Sequence, residues 1–120
     1  MGEKAPYPGL WLLDARTTGT DATTTSGFAV SGAVMGVFST GRGTPLGNVA
    51  FPVVKLTGNP EAFKALPDIL DFCAGDVLSG GSLDEVADKL FDLVLEVAAG
   101  KETCSEINRC FENILPREEG

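Results

Sequence analysis

The sequence predicts an α/β domain in three layers, with a short, mostly parallel sheet and helices flanking it. Three observations carry this. Short apolar runs at 9–14, 34–39 and 52–57 have the length and content of strands buried on both faces. A Thr-, Gly- and Ser-rich stretch of helical length separates the first two, and strand, helix, strand at this spacing makes a right-handed βαβ unit. The second half then carries two capping boxes, each opening a helix.

The first run, Gly9-Leu10-Trp11-Leu12-Leu13-Asp14, reads as a buried strand with Asp14 at its carboxyl end. Thr20 and Asp21 cap a helix to about Ala33, weak in intrinsic propensity and dependent on tertiary support. Residues 34–39 read as the second strand, and a glycine-rich loop runs from Thr40 to about Phe51. Pro52-Val53-Val54-Lys55-Leu56-Thr57 is the third strand, its proline at the tolerated leading position. Asn59 and Pro60 start a short helix to about Leu66. Residues 71–75 fit either a strand end or an irregular turn. Ser82 and Glu85 open an amphipathic helix to about Ala99, with Gly100 as its stop. Thr103 and Glu106 open another short helix, and the tail 116–120 is expected to fray.

Composition narrows the function classes. At 120 residues and 43% hydrophobic content the chain suits one domain with a real core. Its net charge of −8 argues against a nucleic-acid surface, which needs clustered Lys and Arg. It leaves room for an anionic ligand held by one local arginine. The three cysteines, Cys73, Cys104 and Cys110, show no CxxC spacing and form no disulfide framework, so a cytoplasmic setting with reduced thiols is expected. The absence of histidine removes the commonest general base and metal ligand. No stretch is apolar for long enough to span a bilayer. The spacing Gly32-x-x-x-Gly36 reads as close packing of small residues.

The loop Thr40-Gly41-Arg42-Gly43-Thr44-Pro45-Leu46-Gly47 follows a predicted strand, where α/β sheets bind ligands. Glycines flanking Arg42 let backbone N–H groups converge on an anion, and the guanidinium fork suits a carboxylate. The alternative is a surface turn with a solvated arginine. The glycine spacing is wrong for G-x-G-x-x-G, no Gly-Lys-Ser/Thr follows, and a strand comes next, so neither nucleotide motif fits.

The string from Ser39 to Phe63, STGRGTPLGNVAFPVVKLTGNPEAF, resembles the C-terminal region of the altronate/galactarate dehydratases, with their TTGRGT-like loop and P-V-I-K-V-T-G-N-P strand. Upstream, Pro8 to Asp14 is similar to that family's P-G-L-x-x-M-D, with Leu13 for Met. Downstream, Asp71 to Gly75 is similar to its D-I-N-A-G, with Cys73 in place of Asn, and Ala99-Gly100-Lys101 to its A-S-G-K-like end. The likeness covers about Pro8 to Lys101. It implies a Rossmann-like domain, 1–120, expected as a C-terminal fragment of a longer dehydratase. It implies elimination of water from a hexonate or hexarate to give a 2-keto-3-deoxy acid, with ferrous iron whose ligands lie mostly outside this chain. A homologous group acts on sulfolactate as a sulfo-lyase, and its loop usually has Gln where this chain has Arg42. The implied partners are a sugar acid, the rest of a dehydratase chain and further copies in a homo-oligomer, with neither nucleic acid nor membrane.

Such an elimination needs a base at C2, stabilisation of an enediolate and an acid for the departing hydroxyl. Arg42 with Gly41 and Gly43 can hold the carboxylate, and Thr40 and Thr44 can add hydroxyl contacts. Lys55, on an otherwise apolar strand, can be base, acid or carboxylate clamp, or an edge lysine that blunts the strand. Asp14 and Asp71 can serve as acid/base or metal groups, or as a turn residue and a helix cap. Asn59 reads as a cap, and Cys73 as a small buried hydrophobe before a nucleophile. A non-catalytic binding or assembly module of the same fold is the competing function.

Overall fold

The computed structural model describes residues 3–14 and 20–113. A three-stranded parallel sheet contains β1 (Gly36–Ser39), β2 (Val53–Thr57) and β3 (Phe72–Cys73), in the order β1-β2-β3. Helix α1 (Asp21–Val30) precedes β1, and α2 (Pro60–Ala65) joins β2 to β3. A 3-10 turn (Gly75–Ser79), α3 (Leu83–Ala98) and α4 (Cys104–Ile107) follow. The architecture is α/β with a short parallel sheet and flanking helices, as the sequence predicts. The expectation for the tail 116–120 lies outside the described residues.

The central position of β2 explains its composition. Paired on both sides, it buries Val53, Val54, Lys55 and Thr57. The edge strand β1 instead alternates half-buried and exposed positions, and Val37 lies open. Phe51, Leu70 and Ala22 complete the packing around the sheet, with Val86 and Val97 of α3 also buried. Leu83, Phe91 and Leu95 of α3 remain exposed. Helix α1 is held by its threonines as well as by burial. Thr25 Oγ1 donates back to the Asp21 carbonyl at 2.9 Å, the local bond that such residues make inside helices.

One predicted strand is absent. Residues 9–14 form no strand, and Leu10 and Leu12 are 94% and 93% exposed. A local closure holds this segment instead: the Tyr7 and Trp11 rings lie 4.6 Å apart, and Trp11 Nε1 donates to the Tyr7 carbonyl at 3.0 Å. The βαβ unit expected around α1 therefore does not form. The unit that does form is β2–α2–β3, while β1 reaches β2 through the loop 40–52 with no helix.

The undecided segment 71–75 contains both alternatives, a short strand and then the start of the 3-10 turn. Asn59 caps α2, its Oδ1 accepting from Glu61 N at 3.0 Å and Ala62 N at 3.3 Å.

Candidate functional site

The glycine loop leaves the carboxyl end of β1. Thr40 N still donates to Leu56 O at 2.9 Å, so the loop begins tied to the sheet. Thr40 Oγ1 then accepts from Gly43 N at 3.1 Å and closes a turn around Arg42. Gly43 has φ +95°, which favours glycine. A Cβ there would lie 2.5 Å from Leu66 Cδ1, so the turn rests closely on Leu66. Because the Gly43 amide is taken by Thr40, only the amides of Gly41 and Arg42 remain open to a ligand among the described residues of this turn. Arg42 is exposed and has no hydrogen bond or ion pair with any described residue. Thr44 Oγ1 accepts from Leu46 N at 3.4 Å.

Lys55 lies under this loop. It sits on the central strand, which rules out the edge-lysine reading, and it is 0% exposed. Its Nζ donates to the Pro45 carbonyl at 3.1 Å, linking strand to loop. Burial lowers its pKa below that of a free lysine, opposed first by the negative charge of Asp71 and then by Cys104 and Cys110. A ligand reaches this ammonium only if its covering residues move.

Asp71, just before β3, joins β2 to α4. Its Oδ2 accepts from Lys55 N of β2 at 2.7 Å, and its Oδ1 from Cys104 N at the start of α4 at 2.7 Å. Its own N–H donates to Lys55 O at 2.9 Å. Burial first, and the Asp71 carboxylate second, push the Cys104 thiol up to about 11. Its Sγ lies 3.7 Å from Leu70 O. Cys73 Sγ accepts from Gly75 N at 3.4 Å, and the thiol is half-buried.

The loop's far end is held by the C-terminal segment. Gly47 N donates to Cys110 O at 2.8 Å, and Gly47 pairs with Phe111 in an isolated parallel bridge. A Cβ at Gly47 would lie 2.5 Å from Ser105 Oγ. Sequence reading placed Gly47 in the loop but gave Ser105 and Asn48 no part beside it. Asn48 is 3% exposed, its Oδ1 accepts from Ala50 N at 2.8 Å, and its Nδ2 is buried without a partner. Nothing in the local pattern marks Ser105, because its meaning comes from a residue far away in the chain.

The structure thus brings Thr40, Gly41, Arg42, Gly43, Thr44, Lys55 and Asp71 into one connected region. Asp14 is elsewhere: it lines a cleft with Lys4, Phe28, Ser31 and Ala33, by the segment that leads into β1, whereas the loop leaves the other end of that strand. No group of three His, Cys, Asp or Glu side chains that could hold a metal occurs among the described residues. No described helix is long and apolar enough to cross a membrane.

The family model for the C-terminal part of D-galactarate/altronate dehydratase matches residues 1–119. The chain belongs to this family. Altronate dehydratase of Escherichia coli (strain K12) is 41% identical over 107 residues, covering 89% of this chain and 21% of the relative. Galactarate dehydratase (L-threo-forming) of the same organism is 38% identical over 91 residues, 75% of this chain and 17% of the relative. The (2R)-sulfolactate sulfo-lyase subunit beta of Chromohalobacter salexigens is 33% identical over 111 residues, 92% of this chain and 28% of the relative. The chain therefore spans only a fraction of the length of these relatives. Its place in the family rests on a match that runs past Lys101, where the resemblance read from the sequence ends.

Proposed function

We propose that the chain works as the C-terminal domain of a sugar-acid dehydratase, in which the loop 40–44 holds the carboxylate of a hexonate or hexarate while water is eliminated to a 2-keto-3-deoxy acid. The observation that carries this reading is Arg42. It stands exposed at the carboxyl end of a parallel strand, and in a chain with 17 acidic residues no described carboxylate pairs with it. A guanidinium in that position, with the amides of residues 41 and 42 beside it, suits a bidentate anion.

The chemistry follows from where charge develops. Loss of the C2 proton moves negative charge onto the carboxylate, so contacts at that end strengthen on the way to the enediolate. The Thr40 hydroxyl, already accepting from Gly43 N, retains a proton to donate to a carboxylate oxygen. Lys55 acts through the loop, fixing Pro45 from below. The base for C2, the acid for the hydroxyl and the ligands for ferrous iron are assigned to the remainder of a longer dehydratase chain.

The test is steady-state kinetics of this domain joined to the rest of its dehydratase chain, with altronate and galactarate. A charge-assisted contact contributes about 1.5–3 kcal/mol, so Arg42→Ala is expected to lower kcat/KM roughly 10- to 100-fold. Arg42→Lys should recover only part of the loss, because it keeps the charge without the fork. Wild-type kinetics in the alanine variant would sink the reading. Turnover of sulfolactate in place of both sugar acids would move the chain to the sulfo-lyase side of the family.

A further inference from the structure

We infer that the C-terminal segment Thr103–Phe111 is a brace that positions the glycine loop, with Ser105, Gly47 and Asp71 as its positioning residues. This rests on the reading of the loop as the carboxylate site and adds residues to that site. The contacts form a closed circuit. Lys55 Nζ holds Pro45 O at 3.1 Å, and two residues on Gly47 N holds Cys110 O at 2.8 Å. Ser105 fills the space where Gly47 lacks a side chain. The residue before Ser105, Cys104, presents its N–H to Asp71 Oδ1 at 2.7 Å, and Asp71 Oδ2 returns the circuit to Lys55 N at 2.7 Å. Asn108 Nδ2 adds a bond to Asp68 O at 2.6 Å, tying the same segment to the stretch before β3.

The consequence is mechanical. A loop that joins two adjacent parallel strands without a helix has no element of its own to pack on. Its first half rests on Leu66 at Gly43, and its second half rests on the C-terminal segment at Gly47. Both Asp71 oxygens are occupied by backbone donors, so this carboxylate holds β2 and α4 together and stands as a positioning residue. Arg42 is left free to meet a ligand because the residues on either side of it are held.

A compensating pair tests this. Gly47→Ala places a methyl 2.5 Å from Ser105 Oγ and 3.2 Å from Cys110 O. Ser105→Gly removes the first conflict, and the backbone one is left to a small adjustment. In the full dehydratase chain, Gly47→Ala is expected to raise KM for the sugar acid about tenfold and to lower kcat as well, with the pH profile unchanged, because the misplaced contacts hold the bound carboxylate and strengthen toward the enediolate. Gly47→Ala/Ser105→Gly is expected to return KM most of the way. A purely structural role would lower the melting temperature and leave KM of the folded enzyme unchanged, and that outcome overturns the brace. If Gly47→Ala fails to fold, Ser105→Gly alone is read instead: it loosens the contact without a clash and should raise KM, and an unchanged KM overturns the brace. Arg42→Ala, measured alongside, separates the failures. An unchanged KM there removes the carboxylate reading and the brace together, whereas a raised KM there with an unchanged KM in the brace variants removes the brace alone.

Discussion

Lys55 places an ammonium in the centre of a strand buried on both faces, with the Pro45 carbonyl as its side-chain hydrogen-bond acceptor. The cost of that burial appears as pH dependence. Its folded pKa lies below the 10.5 of a free lysine, so between the two values the unfolded chain binds more protons and stability rises with pH. The penalty is fully present below the folded pKa. Cys104 acts in the opposite direction: its thiol is raised from 9.0 to about 11, and stability from that group falls as pH rises through this interval. A comparison with Lys55→Met cancels the cysteine contribution to first order. Urea midpoints measured as pH is raised from 7 to 10.5 should show the parent gaining on the methionine variant toward the upper end. A constant difference across that range would contradict a buried, destabilised ammonium. The variant also leaves the Pro45 carbonyl without its partner, a loss of about 1–3 kcal/mol that does not vary with pH.

At the scale of elements, α2 and α4 are too short to be stable alone and depend on their ends. Asn59 satisfies two amides of α2 at once, with Pro60 pre-set for the first turn. Asn59→Ala is expected to lower stability by about 1 kcal/mol, read as a shift in the denaturant midpoint at constant slope. A loss within experimental error would mean that packing against β2 and β3 alone maintains the helix. In α4 the Glu106 carboxylate accepts from both Thr103 N and Thr103 Oγ1, at 2.8 and 2.9 Å. That cap orients the amide of Cys104 toward Asp71, so a local helix signal also supports a long-range link.

For the whole molecule, Phe28, Val37, Leu83, Phe91 and Leu95 are exposed, and the chain spans 21% of the altronate dehydratase that it matches. Under the proposed function the described residues supply the carboxylate contacts, and among them no group of three His, Cys, Asp or Glu side chains that could hold a metal occurs. The expected outcome for the isolated chain is therefore a cooperative unfolding transition together with no turnover. Steady conversion of altronate or galactarate by the purified chain with ferrous iron would overturn this, and the 2-keto-3-deoxy acid product can be followed directly by chromatography.

Elements whose signals are local were legible in the chain alone. The cap at Asn59, the helix opened by Ser82, the apolar run of β2 and the glycine loop with Arg42 all occupy the positions their residues predict. Each depends on neighbours within a few residues, where propensity and capping act. The run 9–14 shows the limit of such signals, because apolar residues call for burial without naming what buries them, and here a Tyr7–Trp11 contact competes with strand pairing. Tertiary structure alone decided the place of Lys55 on the central strand, since strand order is not encoded within any one strand. It alone set Asp71 between two backbone amides 33 and 16 residues away in the chain. It alone gave Ser105 a role, because the space beside Gly47 exists only once a loop and a distant helix have met. Contacts of that kind depend on chain closure across the whole domain, and no pattern within a short window records them.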